Sequence, residues 1–161
     1  MVREKEAKIS ALVYVVIAFA LCFVNVPLEK VGIFKGCSFF SRLLYPFFHA
    51  NIFHCIVNCW CLLSLAFLLD ISIPELALSY AVAVFAPVGL WGQTLPIVGL
   101  SGALYCLAGS WTFKVRKRLR WFLWWAFFLG TGFFFSQNAN LLHLWGFGCG
   151  LFIGFLNSPA R

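Results

Sequence analysis

Charged side chains are scarce in this sequence, and acidic ones are the scarcest. Only 11% of the 161 residues are charged and 63% are hydrophobic, which gives a mean hydropathy of +0.94. A soluble globular domain carries about 25% charged residues, so the composition argues against that class and predicts an integral membrane protein. Because a membrane-spanning helix needs about 20 apolar residues, the chain has room for about six such helices and none for a separate soluble domain.

Cysteine pairs of the kind that form a disulfide framework or a zinc site are also missing. The seven cysteines are odd in number, and all but Cys37 lie within apolar runs. His54 with Cys55, Cys59 and Cys61 is one conceivable metal cluster, but it lacks the paired C-x-x-C spacing of zinc sites. Buried free cysteine usually acts as a small hydrophobic residue. We therefore expect no metal and no cofactor.

A cleavable signal peptide is not expected either. The first apolar run follows Arg3, Lys5 and Lys8, but it ends at Asn25-Val26-Pro27 without a cleavage site of small residues. The net charge of +7 does not indicate nucleic-acid binding, since five of the twelve basic residues form one cluster between two apolar runs. Such a cluster is typical of a cytoplasmic loop facing anionic lipid headgroups, and the lipid bilayer is the expected partner.

Six apolar runs predict six membrane spans within one domain, residues 1–161. The runs cover residues 9–26, 47–69, 74–92, 99–115, 120–136 and 140–157, and Pro87 and Gly89 predict a kink in the third. Basic residues before the first run place the N-terminus in the cytoplasm. Four crossings return the chain to the cytoplasm between the fourth and fifth spans. The basic cluster lies at this point and consists of Lys114, Arg116, Lys117, Arg118 and Arg120. The expected fold is an all-α bundle with both termini cytoplasmic.

Three polar residues lie at similar depths in this topology. His54, Ser101 and His143 occur near the beginnings of the second, fourth and sixth spans, which all run inward from the outer surface. At 1.5 Å per residue they lie roughly 5 to 10 Å below that surface. Polar groups at this depth are costly unless they face one another or a water-filled cavity. Their common depth predicts a functional site.

Helical spacing adds further residues to this layer. Asn58 lies four residues after His54, and Tyr105 lies four residues after Ser101, so each pair shares a helix face. In the sixth span, Gly146, Gly150 and Gly154 form a stripe of small residues that allows close approach of another helix. The fourth span offers Gly102 and Gly109 as its partner surface. This packing would bring His143 to Ser101.

The chemistry predicted for these residues is acyl transfer by a Ser-His dyad. His143 would take the proton from Ser101 and later return it to the leaving amine. Asn58, His54 and the backbone N–H of Ser101 could bind the oxyanion. Asp70 and Glu75 are expected at the opposite face of the membrane, so no carboxylate is available to orient His143.

Three motifs in this order resemble those of the rhomboid family of intramembrane serine proteases. His49 to Asn58 matches its His-x4-His-x3-Asn motif, Gly99-Leu100-Ser101-Gly102 its Gly-x-Ser-Gly motif, and the segment from His143 to Gly150 its His-x2-Gly-x3-Gly motif. The resemblance covers essentially the whole chain. Among members of this family, the chain looks like the minimal six-helix, bacterial-type form. It implies a protease of the cytoplasmic membrane that cleaves transmembrane segments of other proteins near the outer face.

The same resemblance implies a role for each matched residue. Ser101 would be the nucleophile and His143 the base, with His54 and Asn58 as oxyanion donors. Tyr105 would pack against the catalytic histidine, and His49 would hold the first loop against the second helix. The family usually has a Trp-Arg pair in that loop, whereas this chain has Ser41-Arg42, with the arginine one residue closer to the first histidine.

Water and substrate must reach Ser101, so we expect a gate, and the fifth span is the candidate because it has no stripe of small residues. Its seal would consist of aromatic side chains such as Trp124, Phe127 and Phe128, facing the second span.

Two other functions fit parts of the pattern. One is a non-proteolytic rhomboid-like factor that binds and sorts membrane proteins, although intact Ser101 and His143 argue against it. The other is a haem or metal membrane protein with His54 and His143 as axial ligands. The simplest interpretation is that these polar groups only join helices through hydrogen bonds worth about 1 kcal/mol each, which fits three motifs in register poorly.

Overall fold

The computed structural model describes residues 2–135 and 139–158, and the regular structure in these ranges is helical. This confirms the all-α class. A 3-10 turn, Tyr45–Phe47, precedes α4, and the eight α-helices are α1 (Val2–Leu21), α2 (Leu28–Val31), α3 (Phe39–Leu44), α4 (Ile52–Leu68), α5 (Ile73–Val84), α6 (Ser101–Trp111), α7 (Arg118–Phe135) and α8 (Asn140–Leu156).

The six longer helices fall on the six predicted apolar runs, with different ends. The first helix begins at Val2 and ends at Leu21, earlier at both ends than the predicted 9–26. The third was predicted to continue to residue 92 with a kink, but α5 ends at Val84. The reason is Pro87, which lacks a backbone N–H and disfavours helical geometry in the residue before it. The predicted end of the fifth span, residue 136, lies outside the described residues.

The lengths and compositions of the helices were compared with those that a membrane span requires. Within the described ranges no helix taken alone is both long enough and apolar enough to cross a membrane. One bent pair meets that criterion together, namely Phe39–Phe47 with Ile52–Leu68, at an angle of 82°.

Helix α6 lies at the centre of the bundle, with every residue from Gly102 to Ser110 buried. Its closest neighbour is α8, and glycine permits the approach. A Cβ atom on Gly146, Gly150 or Gly154 would collide with the carbonyl oxygens of Gly102, Cys106 and Ser110, respectively. The stripe of small residues thus packs on α6, as its spacing predicts, and the two backbones are in direct contact.

The segment between α1 and α4 is anchored to the bundle by Ser41-Arg42. The Ser41 hydroxyl donates to the carbonyl of Lys30 at 3.0 Å. Arg42 Nη1 donates to the carbonyls of Val84 and Ala86 at 3.1 and 2.9 Å, just where α5 ends. The Val84 carbonyl belongs to the last turn of α5 and has no partner within the helix, so a cation there is favourable. Arg42 therefore fixes the first loop to the end of α5.

The same segment also pairs with the chain that precedes α6. Ile33 and Ile97 exchange two backbone hydrogen bonds of 2.9 and 3.0 Å, which form an isolated antiparallel bridge. The hydroxyl groups of Tyr14 and Tyr80 donate to the carbonyls of Pro46 and Leu43. The first loop thus supports the turn that leads into Ser101.

The carboxylate of Glu75 lies at the other end of α6 from Ser101. It accepts hydrogen bonds from the Ser72 backbone N–H and hydroxyl at 2.7 and 2.8 Å, and so caps α5. It also pairs with Lys114, which follows the C-terminus of α6. Lys114 lies thirteen positions after Ser101, and most of the residues between them are helical, at a rise of about 1.5 Å each. This carboxylate cannot orient His143, in agreement with the prediction.

Candidate active site

Ser101 and His143 form the central contact of the site. Ser101 is the first residue of α6, and His143 lies in the first turn of α8. The close packing of these two helices brings His143 Nε2 to 2.7 Å from the Ser101 hydroxyl oxygen. When the hydroxyl donates, Nε2 must be unprotonated and the ring proton resides on Nδ1. That arrangement is the one a general base requires.

The imidazole of His143 is held by an aromatic ring in place of a carboxylate. Tyr105 stacks on it with ring centroids 4.6 Å apart and an angle of 27° between the planes. Trp125 of α7 in turn contacts Tyr105 edge-on at 5.4 Å. His143 Nδ1 is buried and has no hydrogen-bond partner among the described residues. Stacking therefore sets the orientation of this ring, and the pair is a dyad within the part of the chain described.

Gly99 shapes the approach to the serine. Its φ of +112° lies in the region that favours glycine, and its N–H donates to the Tyr45 carbonyl at 2.9 Å. A Cβ atom here would lie 2.7 Å from Cε1 of His54. The His54 ring thus rests directly against the turn two residues before Ser101.

His54 and Asn58 enter the site from the first turns of α4. Asn51 caps this helix, since its side-chain oxygen accepts the backbone N–H of His54 at 2.9 Å. The Asn58 amide nitrogen donates to the His54 carbonyl at 2.9 Å, which leaves one of its two N–H bonds for another acceptor. Asn58 Oδ1 is buried without a partner in the described ranges. The placement of Asn58 thus allows one donated hydrogen bond toward the cavity.

The N-terminus of α6 adds backbone donors. The first four N–H groups of an α-helix have no acceptor within the helix. Here the Ala103 and Leu104 N–H groups turn back to the carbonyl of Leu100, at 2.9 and 3.1 Å. The N–H groups of Ser101 and Gly102 precede them, beside the serine hydroxyl, where the positive end of the helix dipole favours negative charge.

A cavity of about 950 Å³ opens between α4 and α7 and contains all five of these side chains: His54, Asn58, Ser101, Tyr105 and His143. Its opposite wall carries Trp124, Trp125 and Phe128 of α7. Apolar surface dominates the wall, with a few polar groups at one end, which is typical of a site for a largely apolar ligand.

Phe127 does not face the second predicted span, so the prediction for this residue is wrong. It lies with Leu119, Arg120 and Leu123 on another side of α7, along a shallow depression. Phe128, the next residue, lines the cavity, whereas Phe127 does not. Trp124 and Phe128 keep the expected orientation.

His49 lies next to the site but outside the dyad. Its ring meets the His54 ring edge-on with centroids 5.1 Å apart. Both ring nitrogens are buried and lack hydrogen-bond partners in the described part of the chain. His49 therefore packs behind an oxyanion candidate and does not itself reach Ser101 through a hydrogen bond.

Sequence patterns gave no sign of two supporting residues, Tyr45 and Trp125. Tyr45 is completely buried in the 3-10 turn, and its carbonyl fixes Gly99. Trp125 steadies Tyr105 from another helix. Both contacts join distant parts of the chain, and no periodic spacing encodes them.

The geometry of the site identifies the chemistry that it can support. A nucleophile and base in hydrogen-bond contact, amide donors at a helix N-terminus and an apolar cavity are the parts that acyl transfer requires. Comparison of the chain with family models, with curated proteins and with solved structures finds no match.

Proposed function

We propose that this chain is an intramembrane serine endopeptidase of the rhomboid type, with Ser101 as nucleophile and His143 as general base. The observation that carries the proposal is the 2.7 Å contact between His143 Nε2 and Ser101 Oγ. Its place at the polar end of a mainly apolar cavity favours a substrate that is itself apolar, such as a transmembrane segment.

The reaction follows from the positions of these groups. Ser101 Oγ attacks the peptide carbonyl while His143 Nε2 takes the hydroxyl proton, which gives a tetrahedral oxyanion. The Ser101 N–H, an Asn58 N–H and the His54 ring are the donors for this oxygen. The imidazolium then gives its proton to the leaving amine, and water hydrolyses the acyl-enzyme with the same histidine as base. Stacking on Tyr105 keeps the ring in place throughout.

A membrane location is supported by the apolar outer surface. On α4 alone, Phe53, Trp60 and Leu68 are 77%, 74% and 82% exposed. Water-soluble monomers rarely expose contiguous apolar surface on this scale, whereas lipid chains would cover it without cost. The basic residues beyond α6 would face the cytoplasmic headgroups, with Ser101 nearer the outer face of the cell membrane. In this proposal six helices cross the membrane and both termini are cytoplasmic.

The substrate would enter between α4 and α7. The cavity lies between these helices, and α7 contributes a mainly aromatic wall of Trp121, Trp124, Trp125 and Phe128, with Thr131 as its one polar residue. Outward movement of α7 would widen the space beside Ser101, while the glycine contacts keep α8 and its histidine on α6. The contact between α6 and α8 thus holds the dyad, whereas the gate helix α7 is linked to it through the contact of Trp125 with Tyr105.

The test is cleavage of a transmembrane substrate in liposomes by the wild type, Ser101→Ala and His143→Ala. Loss of either residue should lower the rate by about 10³-fold or more, because the two act as a unit. Ser110→Ala is the matched control, since Ser110 lies on the same helix and its hydroxyl only donates to the Leu107 carbonyl at 2.8 Å. This variant should cleave as the wild type does.

Labelling with a fluorophosphonate probe gives a second readout that needs no substrate. The probe should modify Ser101 in the wild type and in Ser110→Ala, and nothing in Ser101→Ala. A folded wild-type protein that neither cleaves several transmembrane substrates nor reacts with the probe would refute the proposal.

A further inference from the structure

Cys22, His49 and Cys55 meet behind the proposed active site, although they lie far apart in the sequence. One donor atom from each, two sulfurs and a ring nitrogen, all lie within 4.8 Å of one another. Cys22 follows the last turn of α1, His49 precedes α4 and Cys55 lies in its first turn. The cluster therefore joins two helices and the loop between them.

This group differs from the cluster considered in the sequence. His54 and Cys61 line the cavity on the active-site side, whereas Cys55 points to the other side of α4, toward Ala18 and Cys22. Cys22 comes from a segment that no spacing connects with Cys55. Only the packing of α1 on α4 brings the two thiols together.

We propose that Cys22, His49 and Cys55 bind one divalent, thiophilic metal ion of the Zn²⁺ type. Zinc–ligand distances of 2.3 Å to sulfur and 2.0–2.1 Å to nitrogen place neighbouring donors of a tetrahedral site roughly 3.5–3.8 Å apart. The observed donors lie within 4.8 Å of one another, so binding requires small side-chain rotations of Cys22 and His49, neither of which lies within a helix. Thiolate and imidazole are the ligands that zinc prefers among side chains.

The state of His49 is an independent indication of a ligand. Both of its ring nitrogens are buried and lack a hydrogen-bond partner in the described residues. Buried polar groups in proteins are nearly always paired, so an imidazole with neither nitrogen satisfied needs an explanation. Coordination through one nitrogen satisfies that atom, and the other ring N–H is the one that a metal-bound histidine usually donates to a backbone carbonyl.

The net charge of the metal site favours a divalent ion. Two thiolates, one neutral imidazole and a divalent cation sum to zero, which an apolar interior tolerates far better than a net charge. A monovalent ion would leave a charge of −1. Cys59 has its sulfur 3.8 Å from that of Cys55 but does not belong to the group of donors that lie within 4.8 Å of one another. We therefore assign three protein ligands, with the fourth position of the tetrahedron left for water.

The site does not depend on the proposed proteolysis, and its test uses metal binding. Purified full-length protein in detergent is titrated with Co²⁺, and thiolate-to-cobalt charge-transfer absorption is recorded before and after addition of Zn²⁺. We expect one Co²⁺ per chain, displaced by Zn²⁺. Cys22→Ser, Cys55→Ser and His49→Ala should each weaken binding at least tenfold, whereas Cys59→Ser and Cys149→Ser should leave it unchanged.

Alkylation of the wild type covers the case in which a variant fails to fold. Zn²⁺ should protect Cys22 and Cys55 from a thiol reagent and leave Cys149 as reactive as before, as measured by peptide mass spectrometry. Absence of Co²⁺ absorption, equal loss in Cys59→Ser, or a Cys22–Cys55 disulfide in protein purified without reductant would each overturn the site.

Discussion

Gly99 and the ring of His54 are in such close contact that no other amino acid fits at position 99 without displacement. A Cβ atom there would lie 2.7 Å from Cε1 and 2.9 Å from Nε2 of the imidazole. The backbone φ of +112° independently disfavours any side chain. The first glycine of the Gly-x-Ser-Gly motif thus positions a neighbouring histidine as well as permitting the turn.

Gly99→Ala should therefore lower the rate of cleavage in addition to destabilising the fold. The backbone strain costs about 1–2 kcal/mol, and the new methyl group must also push His54 away from Ser101. Gly36→Ala is the matched control, because Gly36 has a φ of +87° but nothing within 4 Å of an added Cβ. We expect a loss of thermal stability in both variants, at least as large in Gly99→Ala, and at least a tenfold loss of cleavage in Gly99→Ala alone. Equal activities would show that the His54 contact is not needed.

Replacing Gly150 or Gly148 of α8 by alanine should change the stability of the fold in opposite directions. At Gly150 the methyl group would collide with the Cys106 carbonyl, so Gly150→Ala should destabilise the fold by about 1–3 kcal/mol or more and separate His143 from Ser101. Gly148 lies two residues away with nothing within 4 Å, and alanine there should stabilise the helix by about 0.5–1 kcal/mol. Denaturation of both variants in detergent, with cleavage assays, measures the contrast. Matching destabilisation would contradict the packing described for α6 and α8.

Much of this arrangement is encoded by spacing along single helices. The stripe Gly146, Gly150 and Gly154 predicts a close helix contact because residues four apart share one face, and α6 occupies that face. The pairing of Ser101 with Tyr105 likewise predicts a ring near the serine, and the ring stacks on His143. Local periodicity is sufficient for these features because each depends on one helix and its nearest neighbour.

Features that depend on the path of the loops were not predictable in this way. The end of α5 at Val84 is fixed jointly by Pro87 and by Arg42, whose contact with the Val84 carbonyl spans 42 residues. The orientation of Phe127 depends on how α7 is rotated against α4, which its sequence leaves open because nine of its 18 residues are aromatic. The meeting of Cys22 with Cys55 requires the packing of α1 on α4.

Tyr105 should act through its ring and not through its hydroxyl. The stacked contact with His143 is made by the aromatic face, so Tyr105→Phe preserves it, whereas Tyr105→Leu removes it. A stacked pair contributes about 0.5–1.5 kcal/mol, so the leucine variant should lose about 3- to 10-fold in kcat, with KM little changed. The phenylalanine variant should stay near the wild-type rate. A larger loss in Tyr105→Phe than in Tyr105→Leu would assign the function to the hydroxyl.

Phe128 and Phe127 provide the sharpest test of the gate, because they are adjacent, equally apolar and face different ways. Phe128 lines the cavity beside Ser101, whereas Phe127 lies along the separate depression on α7. If α7 must move outward to admit a substrate, Phe128→Ala should ease that movement and raise the cleavage rate of a transmembrane substrate severalfold. Phe127→Ala removes the same number of atoms from a side chain that packs on Trp124 and Phe128 but does not itself line the cavity, so its rate should stay much closer to that of the wild type. Initial rates in liposomes, normalised to fluorophosphonate-labelled enzyme, make the comparison. Equal rates in the two variants, or slower cleavage by Phe128→Ala, would show that substrate does not enter between α4 and α7.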